Sequence, residues 1–135
     1  MRLFELLRYY SWIVDRFHLS TRMVQKQIQG KDYDFSWLEE RLHVLGFRLV
    51  FCTRTPESFA AARTERLKVS GNRAQYDNLQ QFIDEQEQMR RLVSKSNLQT
   101  LELDVSNNDV AAAAERVADW LESTGGLYAS TEPER

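Results

Sequence analysis

Residues 47–53 read FRLVFCT, a continuous apolar and β-branched run that decides the fold class. A strand of this kind is buried on both faces, which is typical of a parallel sheet covered by helices. The run LQTLELDV at residues 98–105 predicts a second strand, and SWIV at residues 11–14 predicts a third. Helical patterns separate the three runs. The sequence therefore predicts an α/β domain with a parallel sheet flanked by helices and joined by right-handed crossovers.

Helical spacing of apolar residues and capping signals predict the helices between these strands. Ser20 or Thr21 is expected to cap the second helix and Ser36 the third, with Gly46 just past its end, while Pro56 suits a first helical turn. The predicted helices cover residues 1–10, 20–29, 36–46, 56–70, 74–95 and 107–123. We expect one domain over residues 1–123 and a flexible tail over residues 124–135.

Composition and charge exclude several classes of protein. The 135 residues carry 18 Lys plus Arg against 20 Asp plus Glu, a formal net charge of -2, so no overall basic field is available to bind nucleic acid. The single cysteine, Cys52, cannot form a disulfide framework within one chain. No apolar run approaches the roughly 20 residues needed to span a bilayer. These features favour a soluble cytoplasmic protein that uses neither membrane nor nucleic acid as a partner.

Three turns at the carboxyl ends of the predicted strands carry polar side chains. Asp15 and Arg16 follow SWIV, TRTPE occupies residues 53–57, and DVSNN occupies residues 104–108. Ligands bind outside the carboxyl ends of strands in parallel sheets, so we expect all three turns to share one rim. Asp15 and Arg16 could hold a metal ion and a phosphate there, or could form a simple ion pair.

Other polar residues have simpler interpretations from sequence. Arg63 and Arg66 lie three apart on one helix, which fits either a paired anion contact or a solvated face. His18 and His43 have no second ligand at metal-binding spacing, so both are interpreted as structural. Ser20 has no base near it in sequence and is more simply a helix cap than a nucleophile.

Three segments, in this order, resemble the thymidylate kinase family of P-loop nucleotide kinases. They are IVDRFHLSTRMVQ at residues 13–25, RLVFCT with PESFAAARTER at residues 48–66, and LELDVS at residues 101–106 before a helix that ends in DWLE. The resemblance implies a P-loop NTPase type of fold. It also implies transfer of a phosphoryl group from ATP to a deoxynucleoside monophosphate, with Mg²⁺, a reaction in which the protein mainly positions and stabilises charge.

On the acceptor side, the resemblance implies roles for five residues. Asp15, Arg16, Phe17 and Ser20 match the family positions that handle the acceptor monophosphate and its Mg²⁺, with Asp15 at the metal. Gln25 resembles the family Gln on the wall that holds the acceptor base. The nucleotide substrate would therefore contact the segment that joins SWIV to the following helix.

On the donor side, four residues are implicated by resemblance. Arg63 and Arg66 resemble arginines of the mobile lid, which supply positive charge to the transferring phosphoryl group. Ser106 and Asn107 lie in a turn that resembles the loop packed against the donor adenine. These residues would contribute to the binding of ATP.

The glycine-rich loop that this chemistry requires does not occur in the 135 residues. The pattern G-x-x-x-x-G-K-[ST] cradles the donor phosphates, whereas here Gly30-Lys31 is followed by Asp32 and preceded by Gln25 where the first Gly belongs. Val24 also replaces a Tyr common in the family. The sequence thus resembles a P-loop domain that lacks its first strand and P-loop. Either the remaining strands pair directly, or a second copy or a partner chain completes the sheet.

Two hypotheses about function follow. The first is a thymidylate kinase-like nucleotide kinase, incomplete over these residues and inactive alone. The alternative is a non-catalytic α/β interaction module derived from a P-loop kinase, whose exposed sheet edges bind a partner. A third reading, nucleic-acid binding through Arg63, Arg66, Lys68 and Arg73, has local charge but lacks net basicity and interleaved aromatic residues.

Overall fold

The protein is described by a computed structural model that covers residues 2–7, 11–72, 74 and 77–126. Over these residues it is a mixed α/β fold, and its parallel sheet confirms the coarse prediction. The strands are β1 (Leu49–Thr53) and β2 (Thr100–Asp104). The helices are α1 (Arg2–Leu6), α2 (His18–Gln29), α3 (Ser36–Val44), α4 (Pro56–Leu67), α5 (Leu79–Val93) and α6 (Val110–Ser123). Each lies within a predicted helical segment or within two residues of it.

The sheet consists of β1 and β2 side by side in parallel, with Leu49 paired to Thr100 and Thr53 to Asp104. The Leu49 N–H donates to Gln99 O, and the Thr53 carbonyl accepts from the N–H of Val105. Because alternate residues of a strand bond to opposite sides, the N–H and C=O of Val50 point to the outer edge of β1. No third strand pairs with that edge within the described residues.

Helices cover the sheet unevenly. Glu102 accepts from Arg90 of α5 at 2.9 Å, so α5 lies over the face that carries Glu102 and its register partner Phe51. Leu103 on the opposite face is buried, and α6 packs beside β2. On that same face Val50 and Cys52 of β1 remain exposed to solvent. The face of β1 that carries Val50 and Cys52 is therefore an uncovered part of the sheet.

The predicted strand SWIV at residues 11–14 is not formed, which corrects the sequence analysis. The Trp12 ring packs edge-on against Phe4 of α1 at 5.3 Å, and its indole N–H donates to Leu7 O at 3.3 Å. Ile13 is 98% exposed. A short β-branched run becomes a strand only when a neighbouring strand pairs with it, and here the local contact of Trp12 with α1 takes its place.

The apolar core lies toward the amino ends of the strands. Leu38 and Leu42 of α3 and Leu98 before β2 are buried, with Leu42 only 1% exposed. Half-buried side chains packed around them are Phe4, Phe35, Phe47 and Leu49. The same end of the sheet therefore holds α1 and α3 in place.

Some predicted helix ends differ in detail. Phe17, not Ser20 or Thr21, precedes α2 and provides no side-chain cap, while Asp34 accepts the backbone N–H of Ser36 at 2.9 Å. Ser36 is therefore the first residue of α3 and not its cap. Gly46 follows α3 with a φ of 76°, a left-handed conformation that favours glycine.

Arg48 holds the first residues of the predicted tail against the fold. Its guanidinium donates to the carbonyls of Leu121, Thr124 and Gly126 at 3.3, 2.6 and 3.2 Å. Residues 124–126 thus pack against the residue that precedes β1, and residues 127–135 lie outside the described part of the chain. None of the helices in the described ranges is long and apolar enough to cross a membrane.

Candidate functional site

Two of the three predicted turns meet at one rim, at the carboxyl ends of β1 and β2. The Thr55 N–H donates to the hydroxyl of Ser106 at 2.8 Å, and Arg54 donates to the Asn108 side-chain oxygen at 2.5 Å. Ser106 in turn donates its hydroxyl and its backbone N–H to Asp104. These two hydrogen bonds hold the pKa of the Asp104 carboxyl below its usual range. The rim is thus a hydrogen-bonded junction between TRTPE and DVSNN.

Arg54 is the best-anchored residue of this rim. Gln86 of α5 brackets its backbone, accepting from the Arg54 N–H at 2.7 Å and donating to its carbonyl at 2.8 Å. Its Nη1 atom is buried and has no hydrogen-bond partner among the described residues. Asn107, by contrast, is exposed beside Asn108, which adopts a left-handed φ of 56°.

Asp15 and Arg16 do not share this rim, which corrects the sequence prediction. The Phe17 ring contacts Phe4 at 6.5 Å, and Phe4 contacts Phe47, just before β1, at 5.1 Å. The segment therefore packs near the amino ends of the strands. A five-residue strand is roughly 16 Å long, so Asp15 and Arg16 lie at the opposite end of the sheet from Ser106 and Asn107. The prediction failed because it depended on a strand at residues 11–14.

The backbone at Arg16 is unusual. Its φ of 54° lies in the left-handed region, which residues other than Gly, Asn and Asp rarely enter. Both Asp15 and Arg16 are exposed, and neither forms an ion pair with another described residue. The Asp15–Arg16 ion pair considered from sequence is therefore absent, and a strained backbone presents both charges to solvent.

A buried polar cluster immediately follows this segment. His18, the first residue of α2, is 5% exposed, and its Nε2 lies 2.7 Å from Oε1 of Glu39 in α3, which is 6% exposed. Glu39 also accepts from the Ser96 hydroxyl at 2.7 Å and from the Asn97 N–H at 2.9 Å. We call these four residues the Glu39 hub. It joins α2, α3 and the segment before β2.

The protonation of the hub follows from its hydrogen bonds. Burial alone raises the pKa of the Glu39 carboxyl, but the hydrogen bonds from Asn97, His18 and Ser96 outweigh it and hold that pKa below its usual range. An ionised carboxylate only accepts hydrogen bonds, so Nε2 of His18 must carry the proton. The other ring nitrogen, Nδ1, is buried without a hydrogen-bond partner among the described residues.

A small cavity of about 80 Å³ opens beside the hub. Its walls come from α2, the start of α3 and the end of α5. A second, larger groove between α2 and α5 is lined mainly by amide side chains, including Gln27 and Gln88, which hydrogen-bond each other at 3.3 Å. The first cavity is the one that borders the buried imidazole.

The remaining predicted site residues lie on helices. Ser20 and Gln25 are both half-buried on α2, but five positions on a helix turn about 140°, so they do not face the same side. Arg63 of α4 donates to Asp77 at 2.6 Å. Arg66 lies less than one turn further along α4 and is exposed.

Among the predicted site residues, Asp15 is the one assigned to Mg²⁺. Within the described ranges no group of three or more His, Cys, Asp and Glu side chains could hold a metal ion. Mg²⁺ in phosphoryl-transfer sites commonly keeps several waters and uses one or two carboxylates plus phosphate oxygens. The exposed Asp15 carboxylate fits a phosphoryl-transfer site of this kind, in which the substrate provides most of the ligands.

Comparison with protein-family models gives no match, and no curated protein and no solved structure matches the chain.

Proposed function

We propose that the chain is a thymidylate kinase-like nucleotide-binding domain whose acceptor side is formed by residues 15–25. It would bind a deoxynucleoside monophosphate, with Mg²⁺ shared between Asp15 and the phosphate. The parent reaction is transfer of the γ-phosphoryl group of ATP to that acceptor. Magnesium would supply charge stabilisation there, while Arg16 would pair with the phosphate oxygens.

The left-handed backbone of Arg16 is the observation that carries this proposal. Strain at a non-glycine residue persists only when its surroundings hold it, and it clusters at functional sites. Here Phe17 and His18, which follow at once, are anchored by the Phe4 ring and by the Glu39 hub. The anchors leave two opposite charges exposed and unpaired with each other, as a phosphate and metal site requires.

Phosphoryl transfer itself is not expected of these 135 residues alone. Reacting atoms must approach to about 3–3.5 Å, and the acceptor segment and the Thr55–Ser106 rim lie at opposite ends of a strand roughly 16 Å long. The glycine-rich loop that would hold the ATP phosphates also does not occur in this sequence. We therefore propose acceptor binding without turnover.

Calorimetric titration tests this proposal. Deoxythymidine monophosphate with Mg²⁺ should bind the purified chain, and ATP with Mg²⁺ should bind much more weakly. Asp15→Asn should abolish the first signal, whereas Asp119→Asn, an equally charged change on the exposed side of α6, should leave it unchanged. Equal binding by the two variants, or no binding by the parent chain, would refute the proposal.

The open edge of β1 supports a second candidate, an α/β interaction module. Val50 directs its backbone N–H and C=O away from β2, and its side chain and that of Cys52 are exposed on the uncovered face. An unpaired edge of this kind can accept a strand from another chain.

Sedimentation at several protein concentrations tests this alternative. Val50→Lys places a charge at the edge without removing a hydrogen bond of the β1–β2 ladder. If the chain self-associates through this edge, the variant should be monomeric where the parent is not. A parent chain that is monomeric at all concentrations would remove the support for self-association. Asp15→Asn should leave the oligomeric state unchanged in either case.

A further inference from the structure

The cavity beside the Glu39 hub has a volume suited to a small ion. A water needs roughly 10–15 Å³ of accessible space, so about 80 Å³ has room for several waters or one tetrahedral oxyanion. Five charged or titratable side chains are among its lining residues: His18, Arg22, Asp34, Glu39 and Lys95. The kind of ligand depends on which atoms of these residues are already bonded.

The carboxylate oxygens of the cavity already accept hydrogen bonds from the protein. Both oxygens of Glu39 accept hydrogen bonds within the hub. Both oxygens of Asp34 accept from Ser36, one from its backbone N–H at 2.9 Å and one from its hydroxyl at 2.8 Å.

Donor atoms, in contrast, remain available. Arg22 uses Nε and Nη2 on Asp32, at 2.5 and 3.1 Å, which leaves its Nη1. The Lys95 ammonium forms no hydrogen bond or ion pair with another described residue. The His18 side chain is 4% exposed, and its buried Nδ1, which is an acceptor in the neutral ring, has no hydrogen-bond partner among the described residues. An unsatisfied nitrogen at such depth is costly unless something binds it.

We propose that this cavity binds phosphate, either as the free ion or as the phosphoryl group of a monoester, with His18 Nδ1 and Lys95 as its principal partners. Hydrogen phosphate suits the imidazole in both of its protonation states. Its P–OH donates to a neutral Nδ1, and its other oxygens accept from a protonated Nδ1 and from ammonium. When Nδ1 is protonated, the imidazolium lies between the Glu39 carboxylate and the bound anion.

This site does not depend on the kinase proposal, although it lies directly after Arg16. Its partners are on α2 and just after α5. His18 lies within residues 15–25 but is not one of the five residues given a role in acceptor binding. The two proposals can therefore fail separately.

Proton NMR of the histidine rings tests the site directly. The chain has two histidines, so His43→Gln assigns the His18 resonance without touching the cavity. Inorganic phosphate should shift that resonance in a saturable way, at constant pH and with ionic strength balanced by chloride. Lys95→Met should weaken binding about tenfold, as expected for one lost charge-assisted hydrogen bond. Lys31→Met, equally exposed and outside the cavity, should have no effect.

A second variant separates Nδ1 from the rest of the imidazole. In His18→Gln the amide N–H can still donate to Glu39, but no group replaces Nδ1, so phosphate binding measured by calorimetry should be lost while the thermal unfolding transition is retained. Should this variant fail to fold, the exposed Lys95→Met comparison remains sufficient. A His18 shift that never saturates, or equal affinities for Lys95→Met and Lys31→Met, would overturn the proposal.

Competition identifies the source of the phosphate. Deoxythymidine monophosphate that displaces inorganic phosphate from His18 would assign the site to the phosphoryl group of a monoester. A nucleotide that binds without moving the His18 resonance would assign the cavity to the free ion. Both results support the site itself.

Discussion

Replacing Glu39 by glutamine should destabilise the fold, because it removes one acceptor from a buried hub. Glutamine keeps one oxygen, which can stay with His18 and Ser96, but its amide nitrogen then faces the Asn97 N–H, and two donors oppose each other. One buried donor without a partner costs about 1–3 kcal/mol. We therefore expect Glu39→Gln to lower the free energy of unfolding by about 2 kcal/mol.

Glu39→Ala should cost more, about 3–5 kcal/mol, since it leaves three donors, from His18, Ser96 and Asn97, without their acceptor, and each costs about 1–3 kcal/mol. Urea denaturation followed by circular dichroism measures both variants. Glu40→Gln is the matched control, because Glu40 is the exposed neighbour on the same helix and its change should stay within about 0.5 kcal/mol. If Glu39→Gln and Glu40→Gln unfold at the same urea concentration, the hub does not stabilise the fold as argued.

The same carboxylate predicts how stability depends on pH. The folded-state pKa of Glu39 is lowered. The contribution of its carboxylate to folding stability is therefore fully present above the unfolded-state pKa of about 4.3 and is lost as pH falls through the folded-state pKa. The parent chain should therefore lose stability below about pH 4.3 more steeply than Glu39→Gln, which has no proton to take up there. Parallel slopes for the two proteins in that range would contradict the assignment.

Three further substitutions test separate features. Leu42→Ala should lower the free energy of unfolding by about 2–5 kcal/mol in urea melts, because Leu42 is 1% exposed, whereas Val44→Ala, 84% exposed, should change little. Arg48→Met should cost about 1–3 kcal/mol by leaving the carbonyls at the end of α6 without their donor, and the thermal midpoint should fall accordingly. Arg16→Gly should relieve the left-handed φ and keep stability within about 1 kcal/mol, yet abolish nucleotide binding in calorimetry; unchanged binding would exclude Arg16 as a ligand.

The sequence predicts the regular elements well where local signals are strong. Both formed strands and all the described helices lie close to the predicted ranges, because apolar periodicity and the left-handed Gly46 are local features. SWIV failed because strand formation needs a partner, and the aromatic contact between Trp12 and Phe4 competes with it. Propensity alone cannot decide between these outcomes.

The candidate site is less predictable because its contacts are long-range. The sequence correctly predicts that TRTPE and DVSNN lie together, since parallel strands bring their carboxyl ends to one edge. It does not predict the hub, because His18 has no metal-binding partner at ligand spacing, and Glu39 lies three residues after Ser36, the spacing of a capping box. That pattern indicates a local bond at the helix end, whereas the carboxylate instead binds residues 21 and 57 positions away.

The 57 positions between Glu39 and Ser96 also have a consequence for synthesis on the ribosome. At about 5–20 residues per second, roughly 3–11 s pass between translation of the carboxylate and translation of its hydroxyl and amide donors. During that interval the early helices can form, but the contact that ties them to the segment before β2 cannot. The early helices are therefore joined to this segment only after residues 96 and 97 have been translated.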